Sequence, residues 1–378
     1  MPDINQNEIV EEYYENQPTD VEAEDSESRD PIKPWDPDLI RISTMVFSLF
    51  QIIDQLKDGD LDLAPDFQRR YVWKPKQKSR LIESILLGIP LPSFYFNQDK
   101  SGRMQVVDGV QRLTTISDFE AGRFSLSGLE YLDSQTGKSF KELDGVYRRR
   151  FKATQIFASV IDPQTPPPVK FDVFRRINTG GSPLNGQEIR HCISGERARS
   201  FLKQCADAAI LHEVTGGTLE NHVRMADREV VLRFAAFSLN EQEYSQAANF
   251  DSFLTSALDD LEKMSDGELD ALRERFLGAV SLAGRLFGEY SFRKWPTRES
   301  KKYPINRALF EAWTVALSAV DPECALAVKK RLVTSAREAM TKDSSFIQSI
   351  SQSTGDPRKV ETRFETVRRL IAEALGDK

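Results

Sequence analysis

Cysteine, histidine and long apolar runs are all scarce in this sequence, and each shortage excludes a class of protein. The 378 residues contain three cysteines and three histidines. The cysteines match no zinc motif, and so few thiols favour a reducing compartment. The histidines form no H-E-x-x-H or other metal-binding spacing. No apolar run approaches the roughly 20 residues of a membrane helix, and the N-terminus lacks the basic start and apolar stretch of a secretory signal. The sequence therefore predicts a cytoplasmic protein without a membrane anchor.

Negative charge is abundant, but it is concentrated at the N-terminus. The chain carries a net charge of −7, and residues 1–34 alone contain eleven acids and two bases, so the rest of the chain is slightly basic at +2. A like-charged segment of low hydrophobicity buries too little apolar surface to fold. We therefore predict that residues 1–34 form a disordered acidic leader. The alternative is a polyanion mimic that occupies a basic groove on the same protein.

The pattern of predicted secondary structure changes near Gly195. Residues 35–194 mix strand and helix patterns. They include a predicted helix from Ser43 or Thr44 to about Lys57 and a predicted hairpin from Ser93 to Val107. From residue 195 onward, helical patterns follow one another with almost no strand signal. The sequence thus predicts an α+β fold, with a mixed domain at 35–194 and an all-α helical domain at 195–378.

One short motif contains the residue types that phosphate binding requires. Asp108 and Gly109 follow a predicted strand, and the next residues open a helix with Gln111 and Arg112 in its first turn. The first turn of a helix has unpaired N–H groups and a positive dipole end, and a preceding glycine lets a phosphate approach the backbone. Arg112 suits phosphate oxygens, Gln111 suits a water molecule, and Asp108 suits Mg²⁺ or a role as a base. The alternative is an ordinary turn followed by a solvated arginine.

The sequence VVDGVQRLTTI resembles IVDGQQRLTTI, the signature of the DGQQR family typified by the N-terminal domain of GmrSD-type restriction proteins. Three further blocks resemble that family in order: PDFQRRYVWKPKQKSRLIESILLGIPLPSFYF, FDVFRRINTGGSPLNGQEIR and SQSTGDPRKVETRFETVRRLI. The resemblance implies a ParB/sulfiredoxin-like fold for residues 35–194, which binds nucleotides or nucleic acid. Residues 195–378 contain no His-rich motif of the HNH nuclease type, so a standalone member without that nuclease is expected.

Site residues follow from this resemblance by position. The implied catalytic residues are Asp108, Gln111 and Arg112. The implied nucleotide- or phosphate-binding residues are Gln68, Arg69, Gly109, Asn178, Thr179 and Gly181. Arg176 is added because it and Arg175 precede the Asn178 loop, and one of the two is expected to point at the same site as Arg112. Val110 departs from the family pattern, which has glutamine there, and this departure puts catalysis in doubt if that glutamine takes part.

The resemblance implies a protein that binds, and in the fuller hypothesis hydrolyses, a nucleoside triphosphate with Mg²⁺ in anti-phage defence or DNA metabolism. The helical domain would then sense the nucleotide or bind a protein partner. A second hypothesis is a DNA-binding or phosphodiesterase module that uses the same pocket, and a third is a non-catalytic interaction protein. Two basic runs, at 69–80 and 148–152, suit DNA phosphates or are simply solvated faces.

Overall fold

The protein divides into two compact units. The computed structural model describes residues 10–14, 17–24, 37–63, 73–177, 184–247, 249–297 and 301–376. The sheet unit spans Trp35–Ile193, and the helical unit combines the described part of Met1–Pro34 with Ser194–Lys378. The predicted α+β class is confirmed, since the mixed sheet lies in the first of these units and the C-terminal part of the chain is helical.

The sheet unit is built on a five-stranded mixed sheet with the strand order β3-β7-β5-β6-β4. Its strands are β3 (Ile42–Ser48), β4 (Leu61–Asp62), β5 (Phe94–Gln98), β6 (Met104–Asp108) and β7 (Gln155–Ile161). Its helices are α1 (Leu49–Asp58), α2 (Pro75–Leu87), α3 (Val110–Glu120), α4 (Gly145–Ala153), α5 (Pro167–Ile177) and α6 (Gly186–Ile193). The β5–β6 pair is antiparallel and forms the predicted hairpin, whereas β5 and β7 run parallel.

The first helix of the sheet unit begins later than the sequence predicts. Residues 42–48 form strand β3, which pairs antiparallel with β7, and helix α1 starts only at Leu49. Ser48 is the helix cap, because its hydroxyl accepts the Gln51 amide and the Gln51 side chain accepts the Ser48 amide. The predicted cap at Ser43 or Thr44 is therefore wrong. The pairing with β7, more than a hundred residues away, overrides the local helical pattern.

The helical unit is built around two buried helices, α9 and α12. Every residue of α12 is buried, and so are twelve of the fifteen residues of α9. The helices of this unit are α7 (Glu196–Ala206), α8 (Ala209–Thr215), α9 (Ala226–Asn240), α10 (Phe250–Lys263), α11 (Asp266–Phe287), α12 (Arg307–Leu317), α13 (Pro322–Ala327), α14 (Lys329–Lys342), α15 (Ser344–Ser349) and α16 (Pro357–Leu375). Across the described ranges, no helix combines the length and apolarity needed to cross a bilayer.

An N-terminal hairpin completes the helical unit. Strands β1 (Glu11–Tyr14) and β2 (Gln17–Glu22) pair antiparallel. Val21 is fully buried within the helical core and bridges Ile305 in parallel register. The Glu22 amide donates to the Ile305 carbonyl at 2.8 Å, and the Ile305 amide donates to the Asp20 carbonyl at 2.9 Å. The hairpin is thus attached by backbone hydrogen bonds as well as by an apolar anchor.

The acids of this hairpin and of the residues just after it form ion pairs with buried cations. Arg293 binds both carboxylate oxygens of Asp20, at 3.1 and 2.8 Å. Further pairs join Lys294 to Glu22 (2.6 Å), Arg307 to Glu12 (2.7 Å) and Arg233 to Glu24. The described part of residues 1–34 is therefore ordered, in contrast to the predicted disordered leader. The buried cations supply the charge compensation that the segment lacks by itself.

Burial and pairing move the pKa values of these acids in opposite directions. Burial outweighs the Lys294 charge at Glu22 and raises its pKa. At Asp20, burial acts to raise the pKa, but hydrogen bonds from Arg293 and Thr218 outweigh it, and the pKa is lowered. Burial at Glu24 is likewise outweighed by the Arg233 charge, so its pKa is also lowered. Asp20 and Glu24 consequently favour folding when they are ionised.

Asp227 provides a pH-dependent test of the helical unit. Burial raises the pKa of this carboxyl from 3.8 to about 6, and its Oδ1 has no hydrogen-bond partner in the described part of the chain. Its contribution to stability is therefore present below pH 4 and is lost as the pH rises through 6. We expect Asp227→Asn to gain stability relative to wild type between pH 4 and pH 7, by up to about 3 kcal/mol. Urea unfolding across that range measures the difference, and a pH-independent difference would contradict the assignment.

Candidate functional site

The Asp108 motif lies at a strand-to-helix turn in the sheet unit. Strand β6 ends at Asp108, Gly109 makes the turn with φ of 97°, and α3 begins at Val110. The Leu113 amide donates to the Gly109 carbonyl at 2.9 Å, which starts the helix. The predicted order of strand, Asp-Gly turn and helix is therefore what the structure has.

Gly109 is required at this turn by both its conformation and its surroundings. A positive φ is costly for residues with a side chain. In addition, a Cβ at position 109 would lie 2.3 Å from Cδ1 of Phe94 and 3.1 Å from Nη2 of Arg112. The absence of a side chain therefore lets the backbone, the Phe94 ring and the Arg112 guanidinium meet.

Arg112 joins the strand-to-helix turn to the loop that precedes β5. Its guanidinium donates to the Pro92 carbonyl, to the Ser93 carbonyl at 3.1 Å and to the Asp108 carboxylate at 3.0 Å. It also lies over the Phe94 ring, 4.2 Å from the ring centroid, with its side chain 12% exposed. Burial lowers the pKa of Arg112, and the Asp108 charge partly offsets this. The geometry therefore gives Arg112 a positioning role: it fixes the loop before β5 against the end of β6.

Asp108 is the more accessible member of the pair. Its side chain is 41% exposed, and it lies where α3 begins without a side-chain cap. A single carboxylate beside a helix N-terminus suits Mg²⁺, which commonly takes one or two carboxylates together with substrate phosphates and water. No group of three or more potential metal ligands occurs among the described residues.

The other predicted site residues are distributed differently. Val110, the departure from the family pattern, is buried with 6% exposure, so it fills space beneath the turn. Gln111 is half-buried in the first turn of α3. Arg176 is exposed at the end of α5 and forms no hydrogen bond or ion pair with Asp108 or Arg112. The remaining predicted positions lie outside the described residues: Gln68, Arg69, Asn178, Thr179 and Gly181.

Sequence reasoning missed a buried polar cluster on the same strand pair. Lys170 of α5 is 6% exposed, and its Nζ donates to Oδ1 of Asn97 on β5 at 2.9 Å. Arg190 of α6 is also buried, and its Nε donates to Oε1 of Gln187 at 3.1 Å. Gln105, which pairs with Asn97 across the hairpin, has a buried Nε2 without a hydrogen-bond partner in the described chain. A lysine inside the apolar run at 169–174 was the available sequence signal.

Comparison with known families places this turn in context. Residues 49–194 match the model of the GmrSD restriction endonuclease N-terminal domain. Most of the sheet unit is therefore similar to that domain. The matched range includes the β5–β6 hairpin and the strand-to-helix turn that follows it, so the DGQQR resemblance is confirmed for this part of the chain. No curated protein matches the chain.

Proposed function

We propose that this chain binds and hydrolyses a nucleoside triphosphate at the turn between β6 and α3, as part of a restriction or defence system that acts on DNA. The observation that carries the proposal is the accessible carboxylate of Asp108 at the uncapped start of α3. A helix N-terminus favours phosphate through its amide groups and its dipole. We also propose that the sheet unit has a ParB/sulfiredoxin-like fold.

Each residue of the turn has a distinct part in it. Asp108 holds Mg²⁺ or the attacking water, and Gln111 orients that water. Arg112 keeps Asp108 and the loop before β5 in place through its three hydrogen-bonded partners. When bound, Mg²⁺ would neutralise charge on the transferred phosphate. Gln68, Arg69, Arg176, Asn178, Thr179 and Gly181 are proposed as further phosphate-binding residues from the family resemblance alone.

Phosphate release from ATP, GTP and CTP, with Mg²⁺ and with or without DNA, tests the proposal. We expect Asp108→Asn to lose on the order of 100-fold in turnover, because the carboxylate acts directly. We expect a loss of similar order for Arg112→Ala, because a misplaced Asp108 is ineffective. Arg123→Ala is the matched control, since Arg123 is 71% exposed and pairs only with Asp118 among the described residues. Full turnover in Asp108→Asn, or none in wild type with any triphosphate, would rule out hydrolysis at this turn.

A second candidate is that the same strand-to-helix turn binds a phosphodiester of DNA. The match to a restriction endonuclease domain favours it. Each phosphate contact releases counterions, so binding of this kind weakens steeply with salt. Wild-type protein that binds DNA in a salt-dependent manner, without turnover of any triphosphate, would favour this candidate. Protein that shows neither property but is recovered from cells in a stable complex would favour the non-catalytic interaction protein.

A further inference from the structure

Helix α4 presents several basic side chains in succession. Its sequence, GVYRRRFKA, places Arg148, Arg149, Arg150 and Lys152 within five positions, and all four are exposed. Arg149 and Lys152 are three residues apart and Arg148 and Lys152 are four apart, so these three share one face of the helix. Arg148, Arg149 and Lys152 line a shallow groove together with Phe140 and Gly145.

These cations form no ion pairs with the residues that the structure describes. Arg148 and Arg150 donate only to backbone carbonyls, those of Lys141 and Leu86. The acids just before the helix are used elsewhere, because Glu142 accepts the Ser139 amide and Asp144 accepts from Lys138 and Gln135. Many other cations of the sheet unit do have carboxylate partners: Lys57–Glu120, Lys78–Asp118, Arg80–Glu130, Arg103–Asp99, Arg123–Asp118 and Lys138–Asp144.

Helix stability explains only part of this charge. Cations in the last turn of a helix interact favourably with its dipole, which accounts for Arg150 and Lys152. Arg148 and Arg149 lie before that turn, and the first turn contains no acid to balance them. Like charges placed this close repel one another and destabilise a helix slightly. Arg148 and Arg149 are therefore better explained by an anionic partner than by folding.

An exposed aromatic ring lies beside the same cations. Phe50, the second residue of α1, is 55% exposed although it is a large apolar side chain. Nζ of Lys152 lies 5.7 Å from the centroid of the Phe50 ring and 6.0 Å from that of Phe140. Proteins that bind single-stranded nucleic acid combine cations, which contact its phosphates, with exposed aromatic rings, which stack on its bases. Both components are present here.

We propose that Arg148, Arg149 and Lys152 of α4, together with Phe50 of α1, form a binding surface for single-stranded nucleic acid. The three cations contact successive phosphates, and Phe50 stacks on an unpaired base. A stacked duplex does not present its base faces, so a single strand is the better ligand. The surface uses none of the residues at the Asp108 turn and does not depend on triphosphate hydrolysis.

Fluorescence anisotropy with a labelled oligodeoxythymidine of roughly 16 nucleotides, a length within the range of single-strand-binding sites, tests the surface as salt is varied. Replacing Arg148, Arg149 and Lys152 by alanine should weaken binding and reduce the slope of log affinity against log salt by about 2, since each phosphate contact contributes about 0.7. Phe50→Ala should weaken binding about 5- to 150-fold at fixed salt and leave the slope unchanged.

A matched triple variant removes the same charge from paired cations of the same unit. Lys57, Arg103 and Arg123 are 60%, 55% and 71% exposed and each has a carboxylate partner, so their replacement by alanine should leave binding nearly unchanged. Absence of oligonucleotide binding by wild type at low salt, or equal losses in the two triple variants, would overturn the proposal.

Discussion

Arg233→Met is expected to destabilise the helical unit by about 3–5 kcal/mol, the usual cost of breaking a buried ion pair from one side. Arg233 is 3% exposed and contacts three carboxylates: Glu229 at 2.6 Å, Glu311 at 3.3 Å, and Glu24 from the N-terminal segment. It also lies over the Phe250 ring at 4.7 Å. Methionine fills a similar volume but leaves the buried carboxylates with too little compensation.

Hydrogen exchange followed by mass spectrometry measures this loss within the helical unit alone. The amides of Glu22 and Ala23 should also exchange faster in Arg233→Met, because Glu24 loses its partner and the adjoining hairpin loosens. Arg368→Met is the control: Arg368 pairs with Glu241 at the surface, with side chains 48% and 27% exposed, and should cost less than about 1 kcal/mol. Similar losses in the two variants would show that the buried network contributes little.

Gly109→Ala is expected to destabilise the sheet unit by about 2–5 kcal/mol and to abolish ligand binding at the turn. The positive φ of 97° costs a residue with a side chain about 1–2 kcal/mol. The added Cβ would also lie 2.3 and 2.7 Å from two atoms of the Phe94 ring, and overpacking of this kind costs about 1–3 kcal/mol. Movement of Phe94 would displace Arg112, which lies against the ring, and through it Asp108.

Gly122→Ala separates the two causes. Gly122 also has a positive φ, of 74°, but a Cβ there would meet nothing within 4 Å. It should therefore cost only the conformational part, about 1–2 kcal/mol. Urea unfolding and triphosphate binding measured on both variants check the result. If Gly109→Ala were no worse than Gly122→Ala, the contact with Phe94 would not be the constraint that the geometry indicates.

Local patterns predicted the fold well where neighbours in sequence determine it. The β5–β6 hairpin, the Asp-Gly turn and the long helices of the C-terminal part all follow from periodicity and turn residues. Strand β3 could not be predicted from the local pattern. Val46 begins an apolar stripe at helical spacing that continues through Leu49 and Ile53 into α1, so the pattern indicates a helix from the start. Only the partner strand β7 decides that residues 42–48 are extended. A short window of sequence cannot reveal a pairing between strands that lie this far apart in the chain.

The N-terminal hairpin was missed for an electrostatic reason. A run of acids indicates a solvated segment when the chain is considered locally. Arg293 and Asp20, however, are separated by 273 residues, and Arg233 and Glu24 by 209. Their pairing is a property of the folded unit. Asp20, Glu22 and Glu24 are held by cations that lie far from them in the sequence.

The candidate site was predicted in part. The position of Asp108, Gly109 and Arg112 at a strand-to-helix turn followed from the motif. The hydrogen bonds from Arg112 to the carbonyls of Pro92 and Ser93 could not be predicted, since every residue has a backbone carbonyl and the sequence does not show which ones a side chain reaches. The buried Lys170–Asn97 pair depends on α5 and β5 being neighbours and was likewise inaccessible.

The N-terminal hairpin also determines the order in which the chain can fold on the ribosome. The sheet unit is continuous, so it can fold soon after residue 193 has emerged. The hairpin is made before the sheet unit, whereas its partners Arg293, Lys294 and Arg307 are made after it. At ordinary rates of synthesis, the acids and the apolar Val21 wait on the order of tens of seconds for them. The helical unit can thus be completed only after the whole sheet unit has been synthesised, because its hairpin precedes that unit in the chain and the cations that bind the hairpin follow it.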